Sequence, residues 1–234
     1  MIPKYLSFCF DDGFRRTADK VRRIFEARGL SACFCVLSAP ELAEDPGIKG
    51  ATIADWEYWR DAAAAGHEIG PHGHAHEVYG QIEPYLARRS IEECWRTLER
   101  ELPGFDRRSS LFHVPYLSAP AELVEWIGMQ SLGARVMLGH HGLNPLPGRM
   151  PSLVDCACFG PDLVGAAAMK RLNEFEHQQG WLVFVFHGLD DEGWGPVNSD
   201  EMEILVDRAL AARMIIAPPS RLLLESRGHS LTQS

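Results

Sequence analysis

The sequence predicts an α/β domain of barrel type, and three observations carry that expectation. Apolar runs of four to seven residues alternate with helix-patterned stretches of ten to twenty, about seven or eight times along the chain. Parallel neighbours need such helical crossovers, so the alternation points to parallel strands. No low-complexity linker or internal repeat divides the 234 residues, which predicts one domain over 1–226 followed by a polar tail at 227–234. The strongest polar clusters directly follow apolar runs, and strand C-termini are where an α/β barrel gathers its active-site loops.

Taken in order, the first strand runs from Tyr5 into Asp11, Asp12 and Gly13. Adjacent side chains on an extended segment point opposite ways, so the two acids take different jobs. Val21, Ile24 and Phe25 have helical spacing in a basic helix that Gly29 closes. A second buried strand, ACFCVLS at 32–38, leads into a polar loop containing Pro40 and Pro46. The spacing of Thr52 to Asp55 predicts a capping box for a helix ending at Gly66, and strand-like HEIG at 67–70 opens onto the histidines at 72–76.

Ser90 and Glu93 repeat the capping pattern, with Ile91, Cys94, Trp95, Leu98 and Leu102 on one helical face. SLFHVPY at 110–116 is the next strand, followed by a helix over about 118–132. RVML at 135–138 and LVDCACF at 153–159 are further apolar runs. A helix starting at Gly160 and Pro161 reaches about Gln179, and WLVFVFHG at 181–188 is the clearest buried strand. The acidic loop holding Asp190, Asp191, Glu192 and Trp194 reads as solvated; a helix capped by Asn198 or Ser199 follows it, then a last strand in MIIAP at 214–218.

A formal net charge of -9 disfavours nucleic acid and anionic membranes as partners and favours a neutral or cationic small-molecule substrate. No run approaches the roughly 18 apolar residues of a membrane span. Lys4 leads straight into a strand without an apolar leader, so a cytoplasmic protein is expected. The six cysteines read as reduced thiols. The pairs Cys33/Cys35 and Cys156/Cys158 are read as small hydrophobes rather than a four-cysteine zinc site, because structural sites favour longer ligand spacings.

The segment HGHAH places His72, His74 and His76 in five positions after a buried strand. Two imidazoles and one carboxylate make a divalent-metal site with open positions for water and substrate, and Asp12, His72 and His76 are the expected ligands. His187 ends an apolar strand, where it would either donate a proton or hydrogen-bond a backbone carbonyl. His74 would touch substrate or pin its loop, and Trp194 would wall the pocket or pack locally.

With FDDG at 10–13, HGHAH at 72–76, FHVPY at 112–116 and VFH at 185–187, the sequence resembles the polysaccharide deacetylase, or NodB-homology, family (carbohydrate esterase family 4). The resemblance implies a distorted (β/α)7-8 barrel that removes acyl groups, usually acetyl, from amide nitrogen. It also implies one divalent ion, zinc ahead of cobalt, nickel, manganese or iron. By position Asp11 resembles the general base, Asp12, His72 and His76 the metal ligands, and His187 the general acid. The backbone N–H of Tyr116 would help hold the oxyanion, with His74, His113, Pro115 and Trp194 on the substrate side.

Three departures set the chain apart from that pattern. Gly73 stands where a serine or threonine is usual, His113 where the family has arginine, and Leu117 where it has glycine. Without the arginine, the charge on Asp11 is expected to be held less well. The acidic partner of that arginine has only Asp155 as a candidate. The expected function is hydrolysis of an N-acyl group on an amino sugar, an oligosaccharide or a small soluble conjugate, with self-association left open. The rivals are a hydrolase of a cyclic ureide or imide, an impaired carbohydrate-binding homologue, and a non-haem iron oxygenase.

Overall fold

In the computed structural model, which describes residues 3–145 and 153–226, the strand β1 (Lys4–Phe10) carries ladders on both edges. One edge pairs in parallel with β9 (Gly180–Phe186) along its whole length, from Lys4 opposite Gly180 to Phe10 opposite Phe186. The other edge is shared: β10 (Ile215–Ile216) pairs with Tyr5 and Leu6, and β2 (Cys33–Val36) pairs with Cys9 and Phe10. From β2 the sheet continues to β3 (Glu68–Pro71). The far edge of β9 is divided in the same way between β6 (Leu143–Asn144), antiparallel, and β8 (Ala157–Cys158), parallel.

A second, parallel sheet holds β4 (Leu111–His113), β5 (Gly133–Val136) and β7 (Leu153–Asp155). The two sheets meet where β3 packs against β4 and where the chain passes from β7 directly into β8. The named ladders are interrupted between β3 and β4 and between β7 and β8. This is the distorted (β/α) barrel class expected from the alternation. The run at 153–159 divides between the two sheets, which is why it reads as one strand and acts as two.

Among the described residues six α-helices connect the strands, α1 (Arg15–Glu26), α2 (Trp56–Ala64), α3 (Pro84–Glu101), α4 (Ala121–Gln130), α5 (Val164–Phe175) and α6 (Ser199–Ala211), and α7 (Pro219–Ser226) follows the last strand. Asp55, not Thr52, caps α2 by accepting from Tyr58 N at 2.9 Å. Ser90 and Glu93 lie inside α3, which starts at Pro84; proline suits a first helical position because the N–H it lacks would have no partner there. Among the described residues no helix is long and apolar enough to cross a membrane. The expected tail at 227–234 lies outside the described residues.

Period-two alternation along β1 sorts its side chains between two cores. Leu6, Phe8 and Phe10 join Val21, Ile24 and Phe25 of α1, with Phe8 edge-on to Phe25 at 5.3 Å between centroids. Each such phenylalanine contributes roughly 1.5–3 kcal/mol by leaving water. Cys9 belongs to the opposite core with Cys33, Cys35, Cys156, Val183 and Val185. Ser7, also on that face, donates to the Ala217 carbonyl at 2.6 Å and accepts from Trp181 Nε1 at 2.9 Å. The inward face of β1 thus carries Ser7 and Cys9 and leads to Asp11 at the strand's C-terminal end.

Candidate active site

The backbone turns immediately after β1. Asp11 N donates to the Phe186 carbonyl at 2.8 Å, and Asp12 and Gly13 both take positive φ, 75° and 80°. The turn aims the two neighbouring acids at different partners. Asp12 Oδ1 lies 3.4 Å from His72 Nε2 and 3.5 Å from His76 Nε2, and it has no hydrogen-bond partner although it is buried. One ligand atom from each of the three residues falls within 4.8 Å of the others.

The remaining ring nitrogens are engaged outside this cluster. His72 Nδ1 donates to the His113 carbonyl at 2.8 Å, and His76 Nδ1 to Asp45 Oδ2 at 3.2 Å. Each contact directs an Nε2 lone pair toward Asp12, the arrangement typical of metal-ligating histidines. Burial disfavours charge on His72, yet the carboxylates of Asp11 and Asp12 outweigh it and raise its pKa. Burial and the neighbouring His72 lower the pKa of His76. The donor set, and the carboxylate oxygen left without a partner, fit a divalent cation.

Asp11 has a different partner. Arg135, fully buried on β5, donates from Nη1 to Asp11 Oδ1 at 2.9 Å and from Nη2 to Oδ2 at 2.6 Å. Burial would raise the pKa of this carboxyl, but the paired guanidinium, helped by His72, holds it far below the usual carboxylate range. The expectation of a poorly held charge on Asp11 is therefore overturned. The arginine missing from position 113 is supplied by the next strand. Asp155 is not its partner; its carboxylate accepts from Leu138 N at 2.5 Å and Gly142 N at 2.9 Å, fastening the loop between them.

His187 leaves β9 beside Asp11, because Phe10 and Phe186 are register partners. Its Nδ1 is buried without a hydrogen-bond partner, and its ring meets Trp194 edge-on at 5.2 Å. Asp11, Asp12, His72, His76, Tyr116 and His187 line one cavity of about 510 Å³, with Trp194 on its wall and Phe14, Ile48 and Met137 among its apolar residues. A neighbouring hollow of about 610 Å³ shares Leu117 and Met137 but contains no histidine or aspartate.

Three of the four expected substrate-side residues lie outside the cavity lining. His74 shares a 2.6 Å hydrogen bond with Ser38 Oγ and so pins its loop. The His113 ring is fully buried against Gly70 and 3.6 Å from Cys33 Sγ. Pro115 is buried beside Gly73. The glycine at 73 has a steric reason: its φ is +92°, and a Cβ there would stand 2.7 Å from Tyr79 Oη.

Two contributors escaped the sequence reading. Arg135 left a usable sign, since a charge heading an apolar run must find a partner if buried. Asp45 left none: its contacts to His76 and to the Tyr116 hydroxyl exist only once the loop folds back. Tyr116 itself has φ 54° and lays its ring 4.4 Å from that of His76. The acidic loop is not simply solvated. Asp190 reaches Lys20 at 2.7 Å, Asp191 reaches Arg16 at 2.9 Å, and buried Glu192 accepts from Thr17 N at 2.5 Å, tying the segment that carries Trp194 to α1.

A family model described as polysaccharide deacetylase matches residues 1–137. Among solved structures, a candidate polysaccharide deacetylase from Mycobacterium smegmatis superposes with a TM-score of 0.70 at 17% identity, over 99% of this chain and 92% of that one. A family 4 acetyl xylan esterase from Clostridium thermocellum, in complex with a cobalt ion, gives 0.64 at 15% identity over 96% and 92%. A family 4 pseudoenzyme from Bacillus anthracis gives 0.63 at 13% identity over 94% and 66%. A search of curated proteins found no match. The fold is shared with all three structures, and with residues 1–137 matched by the family model, the chain belongs to the polysaccharide deacetylase family.

Proposed function

We propose that this protein is a metal-dependent hydrolase that removes an acyl group, acetyl foremost, from the nitrogen of an amino sugar, an oligosaccharide or a small conjugate. The observation that supports the reading is the convergence of three functions on one cavity: the Asp12–His72–His76 donor set, Asp11 clamped by Arg135, and His187 at the end of the adjoining strand. A divalent ion held by that donor set would polarise the acyl carbonyl and acidify water, and two imidazoles with a carboxylate suit zinc, with cobalt, nickel, manganese and iron as alternatives.

Asp11 takes the proton of the attacking water, and Arg135 keeps its carboxylate ionised and aimed. A carboxylate so stabilised is a weak base, suited to a water that a bound cation would acidify. His187 delivers a proton to the departing nitrogen, which without it would leave as a poor amide anion. The backbone N–H of Tyr116, a residue of the cavity lining, would donate to the charge that develops on the carbonyl oxygen. The cavity of about 510 Å³ is of a size to hold one acylated sugar unit or a compact conjugate.

The apolar wall of Phe14, Ile48 and Met137 supports a second reading, in which the same groups open a cyclic ureide or imide. Acetate release from N-acetylated sugars, measured beside ring opening of cyclic amides, separates the two. Asp11→Asn should keep its ion and lose about 10²–10⁴-fold in turnover, whereas Asp12→Ala and His76→Ala should lose the ion of this site together with activity. Unchanged turnover in Asp11→Asn, or full ion content and activity in Asp12→Ala, would refute the assignment.

A further inference from the structure

Beneath the active-site cavity, on the inward face of the strands, lies a second cluster of donors. Cys9, Cys33, Cys35 and His113 are all fully buried, and one ligand atom from each lies within 4.8 Å of the others. Cys33 Sγ is 3.8 Å from Cys35 Sγ and 3.6 Å from His113 Nε2. Metal–sulfur bonds of about 2.3 Å and metal–nitrogen bonds of about 2.0–2.1 Å in a tetrahedron give edges of about 3.8 Å between sulfurs and about 3.5 Å from sulfur to nitrogen. The observed separations match those edges, and 3.8 Å is far from the roughly 2.05 Å of a disulfide.

The placement follows from register. Cys9 on β1 is the ladder partner of Cys33 on β2, and Cys35 lies two residues further along the same face of β2. Opposite Cys35, β3 offers Gly70, which lets the His113 imidazole cross from β4; a Cβ at Gly70 would stand 2.6 Å from His113 Nε2. Thiolate sulfurs buried this completely call for positive charge beside them. Arg135 Nη1 supplies some of it, 3.9 Å from Cys35 Sγ. Glu68 Oε1, 3.5 Å from Cys33 Sγ and 4.0 Å from His113 Nε2, borders the cluster, and the two Glu68 oxygens already accept from the hydroxyl and backbone N–H of Ser220.

We infer that Cys9, Cys33, Cys35 and His113 form a closed structural site for a second divalent cation, zinc being the ion that three thiolates and an imidazole select. Loading exchanges the three thiol protons for the ion and leaves His113 neutral. The ion spans the break between β3 and β4, since the cysteines belong to the larger sheet and His113 to the smaller. Its effect reaches the upper site through one bond, because the His113 carbonyl accepts from His72 Nδ1.

The test uses the Asp12→Ala/His76→Ala double variant, in which the upper donor set is dismantled and all four lower ligands are intact. Expressed and purified without chelator, it should retain one equivalent of zinc, with an X-ray absorption first shell dominated by sulfur at about 2.3 Å. Refolded with cobalt(II), it should show a thiolate-to-metal charge-transfer band, which Asp, His ligands alone do not produce. Cys35→Ser and Gly70→Ala, each added to the double variant, should abolish that equivalent. A folded double variant that is free of metal and whose cysteines all titrate as thiols overturns the inference, and so does a metal shell containing only nitrogen and oxygen. These readouts do not depend on turnover, so failure here leaves the hydrolase reading standing.

Discussion

Arg135 shows how one residue can reverse an expectation. The sequence motif places histidine at 113, where a neutral side chain would support Asp11 poorly, yet the guanidinium arrives from β5 and makes two parallel bonds of 2.9 and 2.6 Å to the same carboxylate. Lysine is a point donor and cannot reproduce that fork. Losing a charge-assisted hydrogen bond of about 1.5–3 kcal/mol corresponds to about 10- to 160-fold in rate. Arg135→Lys is therefore expected to lower kcat/KM by that factor while metal content stays the same. Steady-state kinetics with metal analysis on one preparation decides it, and wild-type kcat/KM would remove Arg135 from the machinery. His72 and His76 were legible because their segment is local and dense in donors, and Asp12 because it follows the first apolar strand, whereas Arg135 and Asp45 become visible only when segments distant in the chain meet.

At the scale of elements, strands with continuous apolar runs were readable, and helix starts were less so. The pattern Ser90–Glu93 has the composition of a capping box but lies inside α3, because Pro84 starts the helix earlier and the apolar face runs through both positions. The junction between α2 and β3 depends on His67, which is 5% exposed. Its Nδ1 accepts from Ala32 N at 3.1 Å, and its Nε2 faces Glu26 Oε1 at 3.2 Å, with Arg22 also nearby. Burial lowers its pKa below the ordinary value despite Glu26. As pH falls through about 6.5 the unfolded chain binds this proton first, so stability is lost with falling pH until the folded-state pKa is passed. Denaturant unfolding at neutral and mildly acidic pH should show a larger loss in the wild type than in His67→Gln. Equal losses would mean that His67 does not couple folding to protons.

For the whole molecule, the decisive feature is that β1 is flanked by late segments. All seven residues of β1 pair with 180–186, and its base pairs with 215–216. The family match ends at 137, but the fragment 1–137 lacks β9 and β10 and would leave one edge of β1 open along its length and the base of the other edge unpaired. We therefore propose that residues 1–226 unfold as one unit. Fluorescence and far-ultraviolet circular dichroism of the full chain should report coincident transitions, and the 1–137 fragment should show no cooperative transition of its own. A cooperatively folded fragment would show instead two separable domains.

The sequence by itself determined the α/β class, the strands that carry the polar clusters, and the Asp-Asp and His-x-His-x-His segments, because periodicity and turn chemistry are written within about ten residues. Only the tertiary structure decided who meets whom: Arg135 with Asp11, Asp45 with His76, and Cys9 rather than Cys156 or Cys158 with Cys33 and Cys35. Those pairings follow from ladder register and from the strand order, in which residues far apart in the chain become neighbours on one face. A sequence read along its length contains the donors but not the distances between them.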